Sequence, residues 1–354
     1  MNKKFFISGI EGLHTSIDMD NSYLKNWIGK SGGTIVEKIE EADAIFSVWW
    51  NNTPITEKKT YISISNFIKQ DDEEKIQKLK NIENKIKPVW ICPSKKQQKI
   101  ILEIIKDKKR VRVMPFFVND IYYKNFEKKE NQKNTKEEVL SFFAKNNMLN
   151  LSFKKENFTS IEDLKNCLDK KIVIGSFQRD SEGNNLLKAK WQKGPDNIIE
   201  WVKKSKFKDE IVFYLIGPRR HFIVNELYKN NIDFIYFGNY SYIQNTVDDI
   251  ANNTFNESIV FELYKMIDCY LVGSRLEGGP KSLIECRLTN TPVLSTDVGV
   301  AHEFVEKEYI KDNISSEDFD IFIETVNNKS YKHVKNFKDL DYNLKIIKDI
   351  IYEN

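Results

Sequence analysis

Residues 270–296 read YLVGSRLEGGPKSLIECRLTNTPVLST, and the fold is decided here. An apolar strand over 269–273 breaks into a loop at 274–279. Pro280 opens a helix to about Leu288, Asn290-Thr291-Pro292 stops it, and a β-branched run follows at 293–296. The unit is β-loop-α-β. Gly278 and Gly279 carry no Cβ and let backbone N–H groups approach a ligand closely. Proline suits the first helical position, where its missing N–H costs nothing. The junction at 278–282, with Leu283 next in the first turn, therefore predicts an anion-binding helix N-terminus.

Two carboxylates sharpen this. Glu277 precedes the glycines and Glu285 lies eight residues later, about two turns on at roughly 3.6 residues per turn. One acid then faces the mouth of a site and the other lies deeper along the helix. A ligand with a sugar at one end, a diphosphate in the middle and a ribose at the other suits that spacing. The plainer reading is a pair of solvated acids on a surface helix. The glycines, the proline and the buried strand before them weigh against it.

The run S-R-L-E-G-G-P-K-S-L-I-E, with its Glu-x7-Glu spacing, is followed by T-P-V-L-S-T-D-V-G and V-G-V-A-H-E-F-V, through Asp297, Gly299 and Glu303. Together they resemble the family 4 retaining glycosyltransferases of the GT-B fold. The resemblance implies an α/β chain of two Rossmann-like doubly wound domains facing a cleft, and a nucleotide-diphosphate sugar as donor. It also implies that Glu277 contacts the donor sugar and that Glu285 holds the ribose hydroxyls. Backbone amides around Gly278, Gly279 and Ser282 would meet the sugar and phosphates, with Pro280 and Leu283 in the same segment. Cys286 stands where alanine is more usual in the family; both are small.

Composition agrees with two domains. The chain has 354 residues, 40% of them hydrophobic, enough for two substantial cores. The 55 basic residues nearly balance the 52 acidic ones, for a net charge of +3, so no global nucleic-acid signature is present. No run approaches the roughly 18 apolar residues of a membrane span. The opening MNKKFFISGIEG reads as a first strand rather than a signal peptide. Cys92, Cys167, Cys269 and Cys286 are widely spaced without a C-x2-C pair, which suits reduced thiols in a cytoplasmic protein. Lys95-Lys96 and the run 106–110 read as solvated faces, or as a basic patch toward anionic lipid or a phosphorylated acceptor.

Working outward, strands are expected at 5–10, 34–36, 44–50, 61–65, 89–92 and 111–115, with helices at 22–30 and 95–106. That alternation predicts a parallel, doubly wound sheet over 1–118, short for the family. The loop Gly9-Ile10-Glu11-Gly12-Leu13-His14 closes the first strand, where GT-B proteins face the cleft. Gly9, Gly12 and His14 are thus the ligand-side candidates of this half. Residues 119–169 read as linker and entry to the second domain, with helices at 136–146 and 161–168. The second domain, 170–330, opens on a buried strand at 171–177 containing Gly175. A long loop then runs into a helix at 196–203. This segment resembles the family's first donor-domain strand, whose loop supplies an arginine and a lysine to the diphosphate. Lys193 and Arg179 match them, and Arg219 or Arg220, after the strand 212–217, could reach the same cleft. The strand at 234–238 stands where family members bring backbone toward the nucleobase. The tail, 331–354, carries a helical stripe at Leu340, Leu344, Ile347 and Ile351, which in GT-B proteins crosses back onto the first domain.

The expected chemistry is sugar transfer with retention of configuration to a hydroxyl of a glycan, lipid or protein, with no nucleic-acid partner and at most peripheral membrane contact. Glu277, Lys193 and Arg179 are the candidate catalytic residues. No cofactor and no metal are expected: Asp18-Met19-Asp20, Asp318-Phe319-Asp320 and Asp339-Leu340-Asp341 match an Asp-x-Asp pattern, but none lies in the central unit. A sugar-nucleotide epimerase of the same fold, or a non-catalytic nucleotide-sugar-binding protein, are the competing readings.

Overall fold

Buried apolar strands alternate with amphipathic helices along most of the chain, and this alternation builds two open sheets. The computed structural model describes residues 3–9, 16–64, 72–128, 136–154 and 156–352. The first sheet contains β1 (Lys4–Ser8), β2 (Thr34–Val36), β3 (Ala44–Ser47), β4 (Lys59–Ser63), β5 (Val89–Cys92) and β6 (Val111–Val113), in the order β2-β1-β3-β4-β5-β6. Every neighbouring pair is parallel. β3 and β5 are buried at every position, as strands covered on both faces must be.

The second sheet contains β7 (Leu149–Ser152), β8 (Ile172–Ser176), β11 (Ile211–Ile216), β12 (Asp233–Phe237), β13 (Cys269–Val272), β14 (Val293–Thr296) and β15 (Ile310–Lys311). Its order is β15-β14-β13-β8-β11-β12-β7. All pairs are parallel except β7 with β12. Between β8 and β11 a small hairpin forms from β9 (Ser181–Glu182) and β10 (Asn185–Ala189).

Several features depart from the sequence reading, among them helices at Asp120–Lys128, His221–Lys229 and Ser316–Asn327. Residues 149–152, inside the stretch read as linker, form the edge strand β7; Asn150 Nδ2 donates to the carbonyls of Tyr236 (3.2 Å) and Gly238 (2.7 Å). The loop after β8 is the β9–β10 hairpin, whose turn is too short and polar to show a period. The helix Glu73–Ile86 is absent from the sequence reading: ten of its fourteen residues are charged or amide-bearing, only Leu79 and Ile82 are buried, and Asp72 caps its first turn.

Sheet order locates the binding crevices. In the second sheet the chain runs outward from β8 through β11 and β12, then returns to β13 and continues through β14 and β15. The order reverses between β8 and β13, and in open α/β sheets ligands bind beyond the carboxyl ends of strands at such a point. Those ends are Phe177 and Gly273-Ser274. The first sheet reverses between β1 and β3.

The two sheets share one continuous apolar core that includes Phe5 and Ile7 at one end and Leu271 and Val272 at the other. A smaller core lies on the far face of the first sheet, around Trp50, Trp90 and Ile101. The final helix, Leu340–Tyr352, buries Ile347, Ile350 and Ile351. It donates from Asn343 Nδ2 to Pro115 O (2.9 Å) and from Tyr342 Oη to Val113 O (3.1 Å), so it rests on the first sheet. Among the described residues no helix is long and apolar enough to cross a membrane.

Candidate active site

The central unit folds as β13, a loop at 273–280, the helix Lys281–Thr289, and β14. Pro280 is the residue ahead of the first turn rather than its first member, with ψ of 113°. The helix is buried almost all round, at Leu283, Ile284, Cys286, Arg287 and Leu288, so its N-terminus is held rigidly at the carboxyl end of the sheet.

A cleft of about 490 Å³ opens there, within the range of roughly 300–1,000 Å³ usual for ligand sites. Of the sequence candidates it is lined by Glu277, Lys193, Arg179, Gly279, Pro280, Ser282 and Glu285. Lys193 and Glu277 form an ion pair across its mouth, and Ser274 Oγ donates to Glu277 Oε1 at 3.2 Å. The pair is placed by close backbone approach. Gly194 has φ of +54°, and a Cβ there would lie 1.9 Å from the carbonyl oxygen of Gly273. Arg275 then clamps the two loops with a bidentate pair to Asp196, at 2.8 and 2.6 Å.

Gly194→Ala is therefore expected to be strongly destabilising. The left-handed backbone alone costs about 1–2 kcal/mol for a non-glycine residue, and the overlap forces Lys193 away from Glu277. Thermal melting together with nucleotide titration checks this; an unchanged melting temperature would contradict the packing described.

Cations cluster around Lys193. Behind the cleft lining, burial holds the Lys190 ammonium below its ordinary pKa, and the charges of Arg179 and Lys193 push it further in the same direction. Lys190 was not singled out from sequence, since one lysine in a lysine-rich chain gives no signal.

The floor of the cleft is acidic. Glu285 accepts a hydrogen bond from Tyr264 Oη at 2.8 Å. Burial first, and Glu257 second, push its pKa up to about 7, against the pull of the Tyr264 hydrogen bond and Lys281. Glu257 accepts from the Tyr23 hydroxyl and, at 2.8 Å, from Asn119 Nδ2. Lys281 pairs with Asp20 at 2.7 Å. Tyr23 and Asp20 lie on the helix Ser16–Lys30, which follows β1, so the first domain closes over this floor. Asp20, Tyr23, Glu257 and Lys281 were not recognised as a group because they are remote in sequence; Tyr23 and Glu257 are 234 positions apart.

The Glu285 environment predicts a pH signature. Between its ordinary value of 4.5 and about 7 the folded protein keeps a proton that the unfolded chain has lost. Stability therefore falls as pH rises through that window, by up to about 1.4 kcal/mol per pH unit, and levels off above it. Glu285→Gln removes the effect. Its melting temperature, relative to the parent, should climb from about pH 5 to about pH 8, and a flat difference would contradict the buried, protonatable carboxyl.

Other sequence candidates lie elsewhere. Leu283 is fully buried in the core beneath the helix. Gly175 is a packing position, since a Cβ would lie 2.4 Å from the Ile267 side chain. Arg219 turns from the cleft to make a bidentate pair with Asp248, at 3.0 and 2.7 Å. Arg220 is wholly buried against Asp180 at 3.0 Å. Gly9, at φ of +93°, lets the end of β1 pass within contact of Trp49 N and does not line the cleft. Gly12 and His14 lie outside the described residues. Gly278 does not line the cleft itself; its carbonyl packs against Gly299. Where the nucleobase was expected near the end of β12, the cleft is instead lined by Gly217 and Pro218 after β11 and by Thr254 and Phe255. The Asp-x-Asp pairs have structural partners: Asp20 holds Lys281, Asp318 caps a helix, Asp320 accepts from Ser205, and Asp339 accepts from the backbone of Tyr342.

No family model matches the chain, and no curated protein matches it. Solved structures do. HepE of Anabaena in complex with UDP aligns over 99% of this chain and 95% of its own, at 14% identity and a TM-score of 0.57. HepE in complex with UDP-glucose aligns similarly, at 12% identity. WaaG, a glycosyltransferase involved in lipopolysaccharide biosynthesis, aligns over 99% and 100%, at 12% identity and a TM-score of 0.59. A UDP-forming α,α-trehalose-phosphate synthase from Burkholderia vietnamiensis aligns over 82% and 68%, at 10% identity and a TM-score of 0.50. At these identities the likeness is one of fold, and the fold is GT-B: two Rossmann-like domains facing a cleft.

Proposed function

We propose that the chain is a glycosyltransferase that takes a sugar from a nucleotide-diphosphate donor bound in the 490 Å³ cleft. The observation that carries this reading is the Lys193–Glu277 pair facing the 279–282 helix entry, with the buried Glu285 behind it. HepE, of the same fold, is described in complex with UDP and UDP-glucose, which supports a donor of that class. In this reading the diphosphate lies against Lys193, Arg179 and the amides of the helix N-terminus. Glu277 orients the sugar and Glu285 meets the ribose.

The difficult step is departure of the nucleoside diphosphate from the anomeric carbon. Negative charge builds on the phosphate oxygens, and preorganised cations and amides stabilise it in a site closed to water. Transfer proceeds with retention of configuration, the acceptor attacking the face the diphosphate leaves and the leaving phosphate taking the hydroxyl proton, so no dedicated base is assigned. Transfer is metal-independent, the acceptor is a sugar, lipid or protein hydroxyl, and the protein works in the cytoplasm.

Incubation with a panel of nucleotide sugars, monitoring nucleoside diphosphate release with and without a chelator, tests the reading. Release from one donor, indifferent to the chelator, is the expected result. Activity lost with the chelator and restored by manganese would overturn the metal-independent step. Folded protein that binds a donor and never releases nucleotide would overturn the enzymatic reading altogether.

A further inference from the structure

A second cavity, about 550 Å³, opens on the seam between the two domains. It is separated from the donor cleft by the 278–280 loop, against which Gly299 packs: a Cβ on Gly299 would lie 2.7 Å from Gly278 O and 2.9 Å from Pro280 Cδ. Four lysines line the cavity, Lys95, Lys96 and Lys99 from the first domain and Lys338 from the segment before the last helix. Against them stand two carboxylates, Asp297 and Glu303.

Both carboxylates are already engaged. Glu303 Oε1 accepts the backbone N–H of Lys95 at 2.8 Å, which occupies the helix N-terminus. Asp297 pairs with Lys96 at 3.0 Å. Among the described residues, no carboxylate lies within ion-pair distance of the Lys95, Lys99 or Lys338 ammonium. Lys338 is half-buried, with its ammonium 4.9 Å from the centre of the Tyr342 ring. Burial holds its pKa below the ordinary value, while Glu303 opposes that shift and Lys95 adds to it. Lys95 and Lys99 are exposed and Lys338 is half-buried, so the three ammoniums line the cavity open to an anion from solvent.

We propose that this pocket, apart from the donor cleft, binds a phosphate-bearing ligand through Lys95, Lys99 and Lys338. One feature favours phosphate over carboxylate: four lysines against two carboxylates leave an excess of two positive charges, which matches a dianion. The lysines would meet it as point charges.

The test uses the full chain carrying Lys193→Ala, which disables the donor-side cation, and inorganic pyrophosphate as probe. Titration should show binding that weakens at least tenfold when Lys95→Gln and Lys338→Gln are added, with melting temperatures unchanged. No binding, or binding indifferent to those two lysines, overturns the proposal. Sedimentation with phosphatidylcholine vesicles containing phosphatidic acid separates the sources. Lysine-dependent sedimentation assigns a lipid headgroup, and retained pyrophosphate binding without sedimentation assigns a soluble phosphorylated ligand. Because the assay needs no turnover, its failure leaves donor-dependent nucleotide release standing. Failure of the donor reading likewise leaves pyrophosphate binding standing.

Discussion

Lys193→Ala is expected to lower the rate of nucleoside diphosphate release about a hundred- to a thousandfold, the effect of removing one preorganised charge partner from a developing anion. The side chain reaches the cleft from the turn Trp191–Lys193, fixed by Gly194 against Gly273. Its ammonium faces the same space as Arg179 and the start of the Lys281–Thr289 helix. An interaction that strengthens as the phosphate leaves appears in kcat rather than in KM alone. Some stability should be lost as well, because the Lys193 and Glu277 side chains are only 27% and 14% exposed and removal of the lysine leaves a largely buried carboxylate unpaired. Glu277→Ala should also abolish most turnover, but for another reason: it frees Lys193 and removes the group proposed to orient the sugar. Steady-state kinetics of both variants, with thermal melts alongside, checks this. Full turnover by Lys193→Ala would show that the leaving group is stabilised elsewhere.

Arg220→Met is expected to have the largest effect on stability, about 3–5 kcal/mol, as when one partner of a buried ion pair is removed. Arg220 and Asp180 are 0% and 1% exposed and 3.0 Å apart. Arg220 also donates to Ser176 O and Oγ, both at 2.8 Å, and so ties down the end of β8 from which Phe177 and Arg179 enter the cleft. Burial already pushes the Asp180 pKa up, with Arg220 pulling against it. Without the arginine the carboxyl takes up a proton on folding, so the deficit should grow as pH rises above the ordinary carboxyl range. Urea midpoints at acid and neutral pH measure it. A double variant, Asp180→Leu with Arg220→Met, should recover part of the loss, since an apolar pair has no charge to strand. A single variant as stable as the parent would mean that the pair is not buried as described.

Legibility from sequence followed range. The β-loop-α-β unit at 269–296 was readable because each part lies next to its neighbour: apolar run, glycines, proline, helix, β-branched run. Strands buried on both faces, such as Val89–Cys92 and Val293–Thr296, were equally plain because every position is apolar or small. The acidic floor was not readable. Glu257 opens the helix Glu257–Met266, and its partners Tyr23 and Asn119 come from the other side of the cleft. Arg219 was assigned to the cleft by proximity to a strand end, but its positive φ of 57° turns the side chain to Asp248. The backbone conformation of a single loop residue leaves no periodic trace in the sequence.

The cleft at the β8–β13 reversal is proposed to bind the nucleoside diphosphate half of a sugar donor. Calorimetric titration of uridine, guanosine, adenosine and cytidine diphosphates into the parent chain and into Lys193→Ala tests it most directly, since binding needs no acceptor. One diphosphate is expected to bind the parent and to bind Lys193→Ala at least tenfold more weakly. Binding of none, or binding unaffected by the loss of Lys193, would contradict it.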